Sequence, residues 1–244
     1  MGAARRILWV SNGHGEDHIA QRLIHHWQRI APRDQHQALA MVGVGSAYAE
    51  VNVPLLSPGF VAPSAGFAYL HPRLLLKDIQ AGLGQHLYRQ WQALYAVRHI
   101  PFDLRIAVGD IVPLLALGGS GHYKNSAPKA FVACALSDYY TAGKSSFDPL
   151  QVTVLRRQRI HTYTRDALTA DNLRQRGVQA HALGNPMQLP LTALPFSPHE
   201  QGFHGLLLPG SHQDCEANSA HLLHQLMALP PLLKHGLTPL PHWH

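Results

Sequence analysis

Cysteine is scarce in this chain of 244 residues, which has only Cys134 and Cys215. A disulfide framework is thereby excluded, and a reducing compartment fits. Nor does any apolar run approach the roughly 18 residues that a membrane-spanning helix needs, and the run before Ser11 is too brief for the apolar core of a secretory signal. A cytoplasmic protein is expected, soluble or peripheral at the inner face of the membrane. Acidic residues are also few, 14 against 20 Lys and Arg, which leaves a net charge of +6 before any of the 19 histidines takes a proton. Such a balance permits contact with anionic lipid or with nucleic acid and selects neither. Of the two, an anionic membrane surface is the partner expected here, and no nucleic acid.

The stretch from Ile7 to Asp17 lacks the signatures that its glycines first suggest. A dinucleotide fingerprint needs a third glycine where this chain has His18, and the P-loop lysine is absent. In the zinc-protease helix a glutamate directly follows the first histidine, whereas Gly15 separates His14 from Glu16 here. Neither a metal nor a cofactor is expected.

What the stretch does contain is a short apolar strand, Ile7-Leu8-Trp9-Val10, then Ser11-Asn12-Gly13-His14-Gly15-Glu16-Asp17. Gly13 and Gly15 let the backbone turn tightly over a ligand. Glu16 and Asp17 put negative charge on the first helical turn, where the dipole favours it and where a phosphate would be repelled. The loop therefore suits hydroxyls, amines or a proton to be abstracted.

Further along, Ile19, Leu23, Trp27 and Ile30 recur at helical spacing until Pro32, giving the first half of a βαβ unit. The pattern predicts a second strand from Ala38 to Val44, ending at Gly43-Val44-Gly45-Ser46. Leu55 to Leu70 interleaves prolines and glycines with Phe60, Val61, Phe67 and Tyr69, a loop either packed under the fold or exposed to a membrane or partner beside Arg73 and Lys77. From Arg73 to Arg98, Leu76, Ile79, Leu83, Leu87, Trp91 and Leu94 form one stripe of a long helix, read as its core face.

Three more apolar strands end in polar residues: Leu104 to Val108 before Gly109-Asp110, Ala130 to Leu136 before Ser137-Asp138, and Arg159 to Thr164 before Arg165-Asp166. Strands of this kind, separated by helices, imply a parallel sheet covered on both faces. Ligands of such sheets bind at the strands' carboxyl ends, which is where Asn12, Asp110 and Asp138 fall. Each aspartate also has an ordinary reading as a helix cap. A helix from Leu168 to Arg176, stopped by Gly177, leads to a strand over Val178 to Leu183 and to Gly184-Asn185-Pro186. Residues 188–202 read as a proline-rich linker, and residues 203–244 as one further strand, Gly205 to Leu208, a Pro209-Gly210-Ser211 turn and one helix.

Together, Ser11 to Asp17, Ala107-Val108-Gly109-Asp110-Ile111-Val112-Pro113, Ser137-Asp138-Tyr139-Tyr140, Leu183-Gly184-Asn185-Pro186-Met187 and Leu208-Pro209-Gly210-Ser211 resemble the lipid-A-disaccharide-synthase-related proteins. That resemblance implies a GT-B glycosyltransferase architecture, with two Rossmann-like α/β domains and no required metal. Residues 1–187 would be the acceptor-side domain, and 203–244 the truncated start of the donor-side domain. It further implies a nucleotide-sugar donor, whose pocket would be mostly missing, and a lipid-linked or other hydroxyl acceptor. Asp110, Asp17, Glu16 and His14 are the candidate catalytic groups. Asn12, Gly13, Gly15, Ser137, Asp138, Asn185, Gly210 and Ser211 are the candidate substrate-binding residues. His212 stands where the synthase turn continues with arginine. The chain alone is expected to be inactive as a transferase. Two other readings compete: a nucleotide-sugar epimerase of the same architecture, and a non-catalytic module binding lipid or a partner.

Overall fold

The computed structural model describes residues 3–57, 83–119, 127–141 and 145–184, together with residues 186 and 224. The apolar loop from Phe60 to Tyr69 with Arg73 and Lys77, the site candidates Asn185, Gly210 and Ser211, the linker 188–202 and the segment 203–244 apart from residue 224 lie outside the described residues. The chain divides into two compact units, Met1–Leu189 and Pro190–His244, and the first carries the fold described here.

In chain order the elements are β1 (Arg6–Ser11), α1 (His14–Ile30), β2 (Gln35–Ala40), α2 (Ser46–Ala49), α3 (Leu83–Val97), β3 (Leu104–Val108), α4 (Ile111–Gly119), β4 (Lys129–Ala133), α5 (Pro149–Arg157), β5 (His161–Thr164), α6 (Ala167–Gln175) and β6 (Ala180–Ala182). All strand pairings are parallel, in the order β2-β1-β3-β4-β5-β6. The result is the Rossmann-like α/β sheet implied by the apolar strands. β1 lies between β2 and β3, with Ser11 level with both Ala40 and Val108.

Alternation along the strands divides the core into two layers. Leu8, Val10, Ala107, Phe131 and Ala133 face α3 to α6, which contribute Val97, Leu114, Leu117, Val152, Leu155, Ala170 and Leu173. Ile7, Trp9, Ile106 and Val108 face α1 and α2, represented by Ile19, Ala20, Ile24 and Tyr48. Local chemistry fixes the helix starts. A capping box between Asp148 and Gln151, with Pro149 next, begins α5, and Asp166 caps α6 by accepting from the Thr169 amide. Gly177, at φ +79°, follows the end of α6, as its place in the sequence suggests.

Four strands and the inward face of one helix differ from the sequence pattern. β2 runs over Gln35–Ala40 rather than Ala38 to Val44. At the edge of the sheet polar Gln35 and Gln37 are tolerated, and the positive φ of Gly43 and Gly45 ends the strand earlier. β4, β5 and β6 are each shorter than their apolar runs. In α3 the inward residues are Gln90, Ala93, Leu94 and Val97, whereas Trp91, read as core, is 60% exposed and stacks between Tyr88 and Tyr95. The polar Gln90 holds the inward position by donating to the Ala40 carbonyl and accepting from the Ser57 hydroxyl.

Trp91→Ser is accordingly expected to change the unfolding free energy by less than about 1 kcal/mol, as surface substitutions do. Phe131→Ala, which empties the buried centre, should cost about 3–5 kcal/mol. Urea unfolding of both variants checks the assignment, and equal losses would return Trp91 to the core.

Candidate functional site

The strand order reverses direction at β1. The chain moves outward from β1 to β2 through α1 on one face, then returns to β3 on the other side of β1 and continues outward through α4 on the opposite face. Right-handed crossovers require this change of face. The loops leaving β1 and β3 therefore diverge, and the crevice between them is where open α/β sheets bind ligands.

Two loops meet there. Gly13, at φ +103°, turns the chain from β1 into α1. Asn12 reaches across and donates from Nδ2 to both carboxylate oxygens of Asp110, each at 3.2 Å. With Nδ2 facing two acceptors, the Asn12 carbonyl must point away, and that buried Oδ1 has no hydrogen-bond partner among the described residues. Asp110 also accepts from the Val112 amide at 2.9 Å, so it both caps α4 and receives Asn12. Gly109, at φ +131°, lies directly under Glu16. A Cβ there would come within 3.0 Å of the Glu16 Cγ, so a side chain at 109 would displace the glutamate.

The carboxylates of this cluster have different surroundings. Asp17 is 2% exposed and accepts from the Ser11 hydroxyl at 2.5 Å. Because Ser11 donates to Asp17, its oxygen accepts in turn from the Tyr48 hydroxyl at 2.6 Å. Burial pushes the Asp17 carboxyl up to about 6, against the pull of Ser11, His14 and His18. Burial also raises Glu16, opposed by a hydrogen bond from its own backbone and reinforced by the charges of Asp110 and Asp17. No side chain among the described residues donates to the Glu16 carboxylate. Cys134, just past β4, is buried too, and its thiol is pushed up to about 12 by burial and then by the charge of Glu16. His14 and His18 lie one turn apart on α1, with their Nε2 atoms 3.2 Å apart.

The structure thus brings Asn12, Gly13, Glu16 and Asp110 together, with Asp17 buried and His14 exposed at the start of α1. Gly15 plays a smaller part than its place in the motif suggests. It has no positive φ, and a Cβ there would meet nothing within 4 Å. Asp138 is turned into the fold. Its carboxylate accepts from the Ser146 amide and hydroxyl and from Asn172 Nδ2, all at 2.6 Å. Burial opposes its ionisation, but those bonds outweigh it and hold the carboxyl below its ordinary value. Ser137 is buried beside it. Asp138 ties the loop after β4 to α6, its amide also donating to the Thr169 hydroxyl, and its carboxylate is taken up within the protein. Ser11 and Tyr48 had no assigned role in the sequence. The one signal was a hydroxyl at the strand end, and nothing local announced that α2 would deliver Tyr48 to it. Among the described residues no group of three or more His, Cys, Asp or Glu is arranged around a metal position.

No protein-family model matches the chain, and no curated protein matches it. Among solved structures it is similar to the glycotransferase of kitacinnamycin, at 14% identity and a TM-score of 0.32, over 73% of this chain and 42% of that one. The chain thus spans less than half of that structure's length, and a likeness so distant carries no argument about chemistry.

The raised Asp17 carboxyl has a signed consequence. In the unfolded chain it titrates near its ordinary 3.8, in the folded one near 6. Folding therefore binds this proton more tightly, and the stability it contributes is full below about pH 4 and lost as pH rises through about 6. Asp17→Asn removes that loss. Relative to the parent, the variant should gain ~2 kcal/mol between pH 4 and pH 7.5, measured by urea unfolding at each pH. Parallel pH profiles for the two proteins would contradict the assignment.

Proposed function

We propose that the first unit is the acceptor-side domain of a GT-B-type glycosyltransferase related to lipid-A-disaccharide synthase, binding a lipid-linked or other hydroxyl acceptor in the crevice between the β1 and β3 loops. The observation that carries this reading is the Asn12–Asp110 bridge with Glu16 laid over Gly109. It fastens the β1 and β3 loops together at the switch point and leaves the Glu16 carboxylate there with a hydrogen bond from its own backbone and no side-chain donor among the described residues. A carboxylate so placed is an acceptor and calls for a ligand that donates, as a sugar hydroxyl does.

In this reading Glu16 is the general base. Asp110 is engaged by Asn12 and the Val112 amide, and Asp17 lies buried under Ser11, whereas Glu16 faces the crevice with lone pairs to offer. It would take the acceptor's proton as the oxygen attacks the anomeric carbon of a nucleotide-sugar donor, with the nucleoside diphosphate leaving. Asp110 and Asn12 hold the acceptor loop in place. Two carboxylates at the helix start disfavour a diphosphate in this crevice, so the donor is assigned to the second domain of such an architecture. An anionic membrane surface is the proposed source of a lipid-linked acceptor. No helix among the described residues is long and apolar enough to cross a membrane.

Acceptor binding tests the proposal directly, because it needs no donor. Saturation-transfer NMR with short-chain acylated sugars, free sugars and nucleotide sugars should show the acylated or free sugars bound. Asn12→Ala should weaken them about tenfold, equivalent to ~1.4 kcal/mol. Glu16→Gln should leave affinity within about threefold, since the amide carbonyl still accepts the hydroxyl. Failure of every sugar to bind would overturn the reading. Asn12-dependent binding of a nucleotide sugar, followed by its isomerisation without acceptor, would replace it with an epimerase.

A further inference from the structure

Two histidines at the start of α1, His14 and His18, play no part in the proposed transfer. They lie at positions i and i+4 of α1 and share one face. Their Nε2 atoms converge to 3.2 Å and their rings stand nearly perpendicular, with centroids 4.4 Å apart. Imidazole nitrogens bind zinc at about 2.0–2.1 Å, which places two nitrogens of one tetrahedral ion about 3.4 Å apart, and two at right angles about 2.9 Å apart. The observed separation falls between those values, so the two nitrogens are spaced to share an ion once the rings turn both lone pairs toward it. The zinc-protease helix uses this same i, i+4 histidine spacing. What it has in addition is a glutamate next to the first histidine, which serves its chemistry, and a third protein ligand, whose place water would take here.

We propose that His14 and His18 form a two-histidine site for a borderline divalent cation such as Zn²⁺, its remaining positions filled by water. A cation at a helix N-terminus ordinarily opposes the dipole. Here Glu16 and Asp17 stand in the same first turn, and Asp17 interacts electrostatically with both histidines, so the local field favours a positive ion. In the metal-free pair one Nε2–H donates to the other Nε2. On binding, that ring's hydrogen moves to Nδ1, so both Nε2 lone pairs face the ion and no net proton is lost from a neutral pair. The site depends on α1 alone and stands whether or not the crevice transfers sugars.

The chain contains 19 histidines, so the test is differential. Zn²⁺ titration of the full chain by calorimetry should show one more bound equivalent for the parent than for His14→Ala/His18→Ala. Each single variant should weaken that equivalent at least tenfold. In the parent protein, Zn²⁺ should also protect His14 and His18 from diethylpyrocarbonate, read by mass spectrometry, while exposed His25 and His26 on the same helix, adjacent and unable to share an ion, stay reactive. This second readout needs no variant. Identical Zn²⁺ stoichiometry and affinity in the parent and double variant would overturn the site, as would equal modification of all four histidines with and without Zn²⁺.

Discussion

The Asn12–Asp110 hydrogen bonds are the interaction on which the candidate site depends. The sheet alone would leave the β1 and β3 loops diverging to opposite faces, because right-handed crossovers send α1 one way and α4 the other. Asn12 closes that divergence with one amide on two carboxylate oxygens. Hydrogen bonds to a charged group contribute about 1.5–3 kcal/mol, enough to hold two loops in register where no backbone ladder does. The glycines follow from the same constraint. Gly13 has to turn at positive φ, and Gly109 has to leave room for Glu16.

Placing Glu16, Asp17 and Asp110 so near one another is costly, and the surroundings show how the cost is contained. Asp17, the most buried, receives the Ser11 hydroxyl, which is itself held by Tyr48. Asp110 receives Asn12 and a backbone amide. Glu16 has the least compensation, a hydrogen bond from its own backbone and none from a side chain among the described residues. A carboxylate left under-satisfied at a strand-end crevice is a functional candidate on physical grounds. The sheet supplies the rigidity, since Ser11 stands level with Ala40 on one side and Val108 on the other.

Much of this was legible in the sequence, and the unread parts share a cause. β3 matches the strand predicted from Leu104 to Val108 residue for residue, because a central strand covered on both faces favours apolar residues; the exception within it is Arg105, which is also buried. The convergence of Asn12 and Asp110 followed from the rule that parallel strands present their carboxyl ends together. Polar residues in core-facing places were not legible. Gln90 faces inward because it satisfies Ala40 and Ser57, and that moved the apolar stripe of α3 and left Trp91 outside. Tyr48 was missed because its partner is 37 residues away and no periodicity encodes such a pairing. Asp138 had the same strand-end address as Asp110. Only the hydrogen bonds from Ser146 and Asn172 distinguish a structural tie from a group facing the crevice.

A double-mutant cycle on Asn12→Ala and Asp110→Ala, followed by urea unfolding, tests most directly whether these two side chains join the loops into one site. A coupling energy of about 1 kcal/mol or more is predicted, since each residue removes the same hydrogen bonds. Losses that add to within about 0.3 kcal/mol would mean that the two loops are held independently, and the crevice would no longer count as a single site.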